Sequence, residues 1–152
     1  MSKQGRAFTI VELVVVVIVL AIIGAVAVPR FNYSAVASSR ASCLAGRIVT
    51  DLRLTRTLAM SNAAVNEDGF ALEMTGSSPY AGFEIVDLSN NSRVASYEID
   101  SGVTCTGGAS FLFEPSGVLK SGSAGSLNVS GGKRTFLISI VPSTGMVSCR
   151  SY

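Results

Sequence analysis

Few residues of this chain have side chains suited to catalysis. Its 152 residues include no His, three Cys and ten acidic residues. Without His, a Ser-His-Asp triad, a Cys-His dyad and a His-based metal site are all excluded. The acids are scattered singly, so no pair of carboxylates is positioned for acid–base chemistry. We therefore expect a protein that is not an enzyme, with no catalytic residue, no metal and no cofactor.

One carboxylate nevertheless occupies an unusual position. Glu12 is the only charged residue between Phe8 and Val28, in a segment rich in Val and Ile. About 20 apolar residues cross a bilayer as a helix, and an ionisable group inside such a segment is costly and marks function by default. The alternative is that Glu12 lies at the headgroup level, near the positive end of a helix.

Three interpretations of this apolar N-terminus compete. A secretory signal peptide would use Lys3 and Arg6 as its charged start and residues 25–27, AVA, as its cleavage site. A plain membrane anchor is the second. The third is a prepilin-type segment, which is cleaved before the apolar run. Glu12 favours the third, because a discarded signal peptide has no use for a carboxylate.

Residues 7–13, AFTIVEL, and residues 27–31, AVPRF, resemble the N-terminus of type IV pilins and type II secretion pseudopilins. The resemblance implies a leader of residues 1–7, cleavage by a prepilin peptidase between Ala7 and Phe8, and methylation of the new Phe8 amine. Glu12 is then the fifth residue of the mature chain, with a role in assembly through the Phe8 amine of a neighbouring subunit. Ala7 departs from the Gly that the family prefers before the cut.

The pattern becomes amphipathic in residues 30–62. Seven residues at spacings of three and four form one helical stripe: Ala37, Ala41, Leu44, Ile48, Leu52, Thr55 and Ala59. Arg40, Arg47, Arg53 and Arg56 lie off the stripe, and we expect them to solvate the outer face, with Arg47 also pairing with Asp51. The stripe should pack on the C-terminal domain. Residues 8–62 then form one long helix that is kinked at Pro29.

Turn signals recur throughout residues 63–152 and predict seven or eight short strands. The predicted strands are Phe70–Thr75, Gly82–Leu88, Arg93–Ile99, Phe111–Phe113, Ser126–Val129, Thr135–Val141 and Met146–Cys149. The expected fold class is α+β and pilin-like. A long N-terminal helix, with a membrane-spanning first half at residues 8–29, packs through its second half on a small antiparallel β-sheet head.

Two further stretches resemble the minor pseudopilins of the GspH/FimT type. They are residues 51–60, DLRLTRTLAM, and residues 111–117, FLFEPSG, together with the strand after Gly145. The resemblance implies a structural subunit of a type II secretion system or related pilus, assembled near the tip of a short fibre. It also implies a single-pass protein of the bacterial inner membrane with a periplasmic head.

The partners that this resemblance implies are the inner membrane, the prepilin peptidase and the other minor and major pseudopilins. Alternatives are a minor type IV pilin for pilus biogenesis or DNA uptake, and a periplasmic binding module released by signal peptidase. Neither nucleic acid nor a small-molecule substrate is expected. The net charge is only +2, and Met146 and Ser148 stand where DNA-uptake members of the subfamily have Arg.

The three cysteines, Cys43, Cys105 and Cys149, allow three single disulfides, and the sequence alone does not choose among them. In the oxidising space outside the cytoplasm we expect Cys105 to pair with Cys149, because both lie beside turns of one small domain. Cys43 is then free and packs as a small apolar residue. Three reduced thiols are the alternative.

Overall fold

The computed structural model describes residues 9–27 and 33–152. The chain divides into two units, residues 1–32 and 33–152. In the first unit, helix α1 runs from Ile10 to Ala27. Every residue from Thr9 to Ala25 is exposed. No helix in the described part of the chain combines the length and the hydropathy that a membrane crossing requires.

In the second unit, helix α2 runs from Tyr33 to Ser61. The predicted stripe is confirmed: all its members except the partly buried Ala37 are buried. The helix begins and ends close to the predicted limits of 30 and 62. A single kinked helix over residues 8–62 would include Pro29, which lies outside the described residues.

The head consists of eight strands in two four-stranded antiparallel sheets. The strands are β1 (Phe70–Thr75), β2 (Gly82–Asp87), β3 (Ser92–Glu98), β4 (Thr104–Gly107), β5 (Ser110–Phe113), β6 (Ser126–Gly131), β7 (Arg134–Val141) and β8 (Met146–Ser151). The first sheet has the order β3-β2-β1-β5 and the second β4-β6-β7-β8. The predicted α+β class is therefore confirmed, with two small sheets where the sequence suggested one.

A single core joins helix α2 to both sheets. Helix α2 contacts β1, β5, β6, β7 and β8. Below the stripe, the largest fully buried side chains are aromatic and aliphatic: Phe83, Phe111, Phe113, Leu72, Leu127 and Ile138. Burial of such side chains is worth about 1.5–3 kcal/mol each before the entropy of ordering them is subtracted. The head therefore uses the stripe of α2 as one wall of its core.

Strand β4 is the element that the sequence pattern did not reveal. Its four residues, Thr104–Gly107, lie between Gly102 and Gly108, where glycines indicated only turns. The strand exists because it pairs along its length with β6, with Cys105 opposite Val129. Both of these side chains are fully buried. Tertiary pairing has therefore overridden the local turn signals.

Candidate assembly site

Of the residues predicted to act in processing and assembly, the structure describes Glu12 but not Ala7, Phe8 or Pro29. Those three lie outside the described residues. Glu12 is in the first turn of α1 and is the only charged residue of that helix. The contacts of Glu12 are therefore the structural observations that bear on the predicted assembly role.

The start of α1 is fixed by Thr9, three residues before Glu12. The Thr9 side-chain oxygen accepts the backbone N–H of Glu12 at 3.3 Å. The Thr9 carbonyl accepts the N–H groups of Glu12 and Leu13 at 3.1 and 3.2 Å. A Thr at the N-cap with a Glu three residues later is the spacing of a capping box. The negative charge of Glu12 also stabilises the positive end of the helix. Thr9 is therefore the residue that caps α1, and the side chain of Glu12 contributes its charge in the first turn.

No base neutralises Glu12 within the described residues, where the two ion pairs are Arg47–Asp51 and Arg93–Glu84. The rest of the α1 surface is apolar on every side. Exposed fractions of its large side chains run from 83% at Ile10 to 47% at Val14. A helix that is apolar all round is typical of a segment that is buried by its surroundings, and so large an apolar surface marks an interaction site.

On α2, Arg40, Arg47 and Arg53 are exposed, as the sequence predicted, and Arg56 is partly buried. Arg40 donates to the Ser101 carbonyl oxygen at 3.2 Å. Arg53 lies 3.5 Å from the Val147 carbonyl oxygen, and Arg56 donates to the Gly117 carbonyl oxygen at 2.9 Å. These side chains reach round the edges of the helix and bind backbone groups of the head. The predicted exposure is therefore confirmed for Arg40 and Arg53, whereas the partial burial of Arg56 and the contacts with backbone carbonyls were not predicted.

Arg47 makes the predicted contact one turn along the helix and a second contact that was not predicted. Its Nε lies 2.8 Å from an Asp51 carboxylate oxygen. Its guanidinium also lies over the Tyr97 ring, 5.4 Å from the centroid, which places a cation on the aromatic face. The hydrogen bond and the charge of Asp51 raise the pKa of Arg47. This pair ties α2 to β3, the edge strand of the first sheet.

The two stretches that resemble GspH/FimT-type subunits meet around Arg56. Gly117 and Gly145 both have positive φ, 79° and 65°. A Cβ at Gly145 would collide with the Gly117 carbonyl oxygen, and a Cβ at Gly117 would lie 2.6 Å from the Met60 sulfur. Only glycine allows the two turns to approach each other this closely, because both positions have positive φ and a Cβ at Gly145 would meet the backbone of Gly117. This contact explains why an arginine on α2 and a glycine in each of the two turns occur at widely separated positions of the chain.

At the other end of α2, the β6–β7 hairpin lies directly on the helix backbone. A Cβ at Gly131 would lie 2.5 Å from the Ala37 carbonyl oxygen, and one at Gly132 would collide with that of Ser34. The Ser38 hydroxyl donates to the Ser34 carbonyl at 2.8 Å and accepts the Lys133 N–H at 3.2 Å. The sequence predicted a turn at the Gly131-Gly132 pair. It did not predict that this turn contacts the backbone of α2.

The structure contradicts the predicted Cys105–Cys149 disulfide. All three cysteines are free thiols. Cys105 lies on β4 and Cys149 on β8, which are the two opposite edges of one sheet, with β6 and β7 between them. Three strand spacings amount to about 14 Å, whereas bridged Cα atoms lie about 4.4–6.8 Å apart. Cys43 is exposed, so it does not pack as a buried apolar residue.

Burial changes the acidity of two of the three thiols, Cys105 and Cys149. It raises the pKa of Cys105 to about 12 and also raises the pKa of Cys149. Among the described residues, no three His, Cys, Asp or Glu side chains are grouped so that they could hold a metal ion.

Comparisons of the chain with protein families, with curated proteins and with solved structures found no match.

Proposed function

We propose that this chain is a structural subunit of the type IV pilin and pseudopilin class, most like a GspH/FimT-type minor pseudopilin. The observation that carries the proposal is α1: an 18-residue helix whose large apolar side chains are exposed on every side, with Glu12 as its one charge. A helix of this kind needs a surrounding apolar medium. A membrane before assembly and a bundle of like helices after assembly both supply one.

The division of labour between the helices supports the same function. The core of the second unit is built from residues between Ala41 and Val147. The head therefore has its own wall of helix, which α2 provides. In the proposed fibre, residues 8–29 enter the inner membrane and then the fibre interior, and the head stays in the periplasm.

Glu12 has a specific task in this proposal. Once α1 is surrounded by other apolar helices, the carboxylate loses water and needs a positive partner. The methylated Phe8 amine of a neighbouring subunit, freed by cleavage after Ala7, supplies that charge. Removing one member of a buried ion pair costs about 3–5 kcal/mol, because the other charge is left without a partner. Loss of Glu12 should therefore weaken assembly and leave the head intact.

The subfamily assignment draws support from the contact between the two resembling stretches. Arg56 donates to the Gly117 carbonyl oxygen, and Gly145 lies against both. The motif on α2 and the turns after β5 and β7 thus contact one another. This contact is a structural reason for the three segments to occur together in one chain. On this basis we favour a minor subunit of a type II secretion system or related pilus, with other pseudopilins as its partners.

The test must separate assembly from helix capping, because the structure shows a capping role for the same stretch. Glu12→Ala removes the charge, whereas Thr9→Ala removes the cap and keeps the charge. Both variants should enter the membrane fraction. We expect Glu12→Ala to lower co-purification with the other fibre subunits by more than about a hundredfold, since about 3 kcal/mol or more is lost. Thr9→Ala should lower it no more than about fivefold, since an N-cap is worth about 1 kcal/mol.

Equal losses in the two variants would show that Glu12 acts only by starting the helix. Wild-type co-purification of Glu12→Ala would refute the assembly role altogether. A thermal unfolding scan of each variant provides the control. The head should unfold at the wild-type temperature in both, because neither residue belongs to its core.

A further inference from the structure

The two sheets of the head end in four edge strands, which are β3 and β5 in the first sheet and β4 and β8 in the second. An unpaired edge is a template for pairing with another chain, so folded proteins block or interrupt such edges. Three of these four edges are blocked or interrupted, and β8 is the exception.

The chain itself blocks two of the edges. On β5, the Leu112 carbonyl oxygen accepts the backbone N–H of Lys120 at 2.8 Å, and on β4, the Cys105 carbonyl oxygen accepts that of Tyr80 at 2.9 Å. Strand β3 is exposed along its length, but its register against β2 shifts in the middle of the strand. A bulge of this kind bends an edge and interrupts its pairing.

Strand β8 pairs with β7 in one unbroken register. Just past its end, Thr135 and Tyr152 exchange both backbone hydrogen bonds, at 2.9 and 3.5 Å. Bonded pairs alternate along an antiparallel ladder, so the backbone groups of Val147, Cys149 and Ser151 point away from β7. We call these outward backbone groups the β8 edge.

Arg53 of α2 covers the start of the β8 edge. Its guanidinium lies 3.5 Å from the outward carbonyl oxygen of Val147, in agreement with the alternation. Past Val147, no backbone hydrogen bond in the described part of the chain reaches the edge, and Cys149, Arg150 and Ser151 are exposed. An N–H and a C=O on both Cys149 and Ser151 are therefore open to a partner strand.

The charges near this edge have one sign. The strands of the second sheet contain Arg134 and Arg150 and no acidic residue. The strands of the first sheet instead contain one Arg and four acids, which are Glu73, Glu84, Asp87 and Glu98. Arg150 projects from the outer face of β8, because the neighbouring residues of the other phase include the buried Val147. A strand added beside β8 therefore meets a base on its outer face.

We propose that the β8 edge binds an acidic, extended segment of another protein, which adds a fifth strand to the second sheet. The inference rests on the head alone and is independent of the proposed function. The added strand runs antiparallel to β8, as all neighbours in that sheet do. Backbone hydrogen bonds to the edge supply affinity, and alternate side chains supply specificity.

The outer face of β8 determines which side chains the partner carries. Met146, Ser148, Arg150 and Tyr152 share this face, and Met146 and Tyr152 are 60% and 72% exposed. An acid opposite Arg150 forms a cross-strand ion pair, and apolar side chains opposite Met146 and Tyr152 bury these two. Read antiparallel to β8, the partner has the pattern apolar-x-acid-x-small-x-apolar.

Amide hydrogen exchange of the full chain in mild detergent, read by NMR, tests this proposal. The probe is the blocked peptide acetyl-Leu-Thr-Glu-Val-Thr-Thr-Leu-amide. At about ten times its Kd, it should slow the exchange of the Cys149 and Ser151 amides about tenfold. The amides of Ser148 and Arg150 should change little, because they already bond to β7.

Two modified peptides test the strand pairing. N-methylation of the peptide's Val, which lies opposite Cys149, removes an N–H that faces the β8 edge and should abolish the protection. N-methylation of its Glu is the matched control, because that N–H points away from β8, and the protection should remain. Equal effects of the two modifications would overturn the strand pairing.

Charge reversal tests the acidic character of the partner. Arg150→Glu should weaken binding of the peptide about fivefold, and a peptide with Lys in place of its Glu should recover the affinity. Arg134→Glu, on β7 and on the opposite face of the sheet, is the matched control and should bind the original peptide as the wild type does. Equal binding of the two peptides to the wild type would overturn an acidic partner.

Three other results would also count against the proposal. Unchanged exchange of Cys149 and Ser151 at about 1 mM peptide would overturn it. Protection of Ser96 and Glu98 instead would assign the binding to β3. Protection of the β8 edge without peptide, rising with protein concentration together with a dimer mass, would assign the edge to a second copy of this chain.

Discussion

The two helices of this chain differ in where their apolar side chains lie. In α1 the apolar residues cover every side and are exposed, whereas in α2 they form one stripe that is buried under the head. A helix with one apolar stripe finds its partner within its own fold, but a helix that is apolar all round does not. Helix α2 is therefore needed for folding of the head, whereas the exposed side chains of α1 are available for contacts outside the helix.

The largest effect should come from one substitution made in both helices. Ile48 on α2 is fully buried, whereas Ile18 on α1 is 52% exposed. We expect Ile48→Ala to lower the free energy of unfolding of the head by about 2–5 kcal/mol, because it leaves a cavity in the core. Ile18→Ala should change it by less than about 0.5 kcal/mol. Urea unfolding of the full chain in mild detergent measures both.

Similar losses in the two variants would contradict this contrast, because they would make α1 part of the cooperative unit. The same experiment sharpens it in another way. Retention of Ile18→Ala in the membrane fraction, with an unchanged head, would show that the two surfaces act in separate processes.

A smaller effect is expected from the arginines that attach α2 to the head. Arg56→Met removes the Nε donor that lies 2.9 Å from the carbonyl oxygen of Gly117, which is a buried residue. An unsatisfied carbonyl costs about 1–3 kcal/mol, so the melting temperature of the head should fall. Arg150→Met, at an exposed side chain on β8, is the matched control and should leave the melting temperature unchanged. A solvated Arg56 would make the two variants alike.

The smallest effects concern the thiols and need no substitution at first. Without reductant, Cys43 and Cys149 should react with an alkylating reagent in the folded protein, Cys149 more slowly because burial raises its pKa. Cys105 should react only after unfolding, since it is fully buried and its pKa is raised to about 12. Peptide mapping gives the order. A Cys105–Cys149 bridge in exported protein would contradict the strand order.

The raised pKa also gives a pH dependence with a defined sign. Above the ordinary Cys pKa of 9.0, the unfolded chain releases a proton that folded Cys105 retains up to about pH 12. The unfolded state then binds fewer protons, so the free energy of unfolding falls as the pH rises through this window. Cys105→Ala should lose that part of the alkaline dependence, which parallel urea titrations would show.

Local patterns predicted the elements well because they depend on periodicity. The stripe from Ala41 to Ala59 and the strand Phe70–Thr75 lie where the spacing of apolar residues put them. The pairing of strands that are distant in sequence was harder to predict. The alternation of apolar residues along a strand does not show which other strand lies beside it. The division into two sheets, the pairing of β4 with β6, and the distance between Cys105 and Cys149 all follow from such choices.

The candidate site shows the same limit. The sequence identified Glu12 by its position in an apolar run, and it noted the Thr9-to-Glu12 stretch only as part of a family pattern. Hydrogen bonding between the Thr9 side chain and the Glu12 backbone adds a capping role that composition does not reveal. The contacts between the α2 arginines and backbone carbonyls were missed for a related reason. A long side chain off a stripe can reach a neighbouring carbonyl, and spacing along one helix does not show what lies beside it.

Processing and assembly as a pilin-class subunit would leave a defined mature N-terminus, which can be measured. Intact-mass and terminal-peptide mass spectrometry of the protein isolated from membranes should find a chain that begins at Phe8 with a methylated amine. Under the proposal, Glu12 is then the fifth residue of the mature chain. A chain that begins at Val28, after cleavage behind residues 25–27, would contradict the account and identify a protein released by signal peptidase.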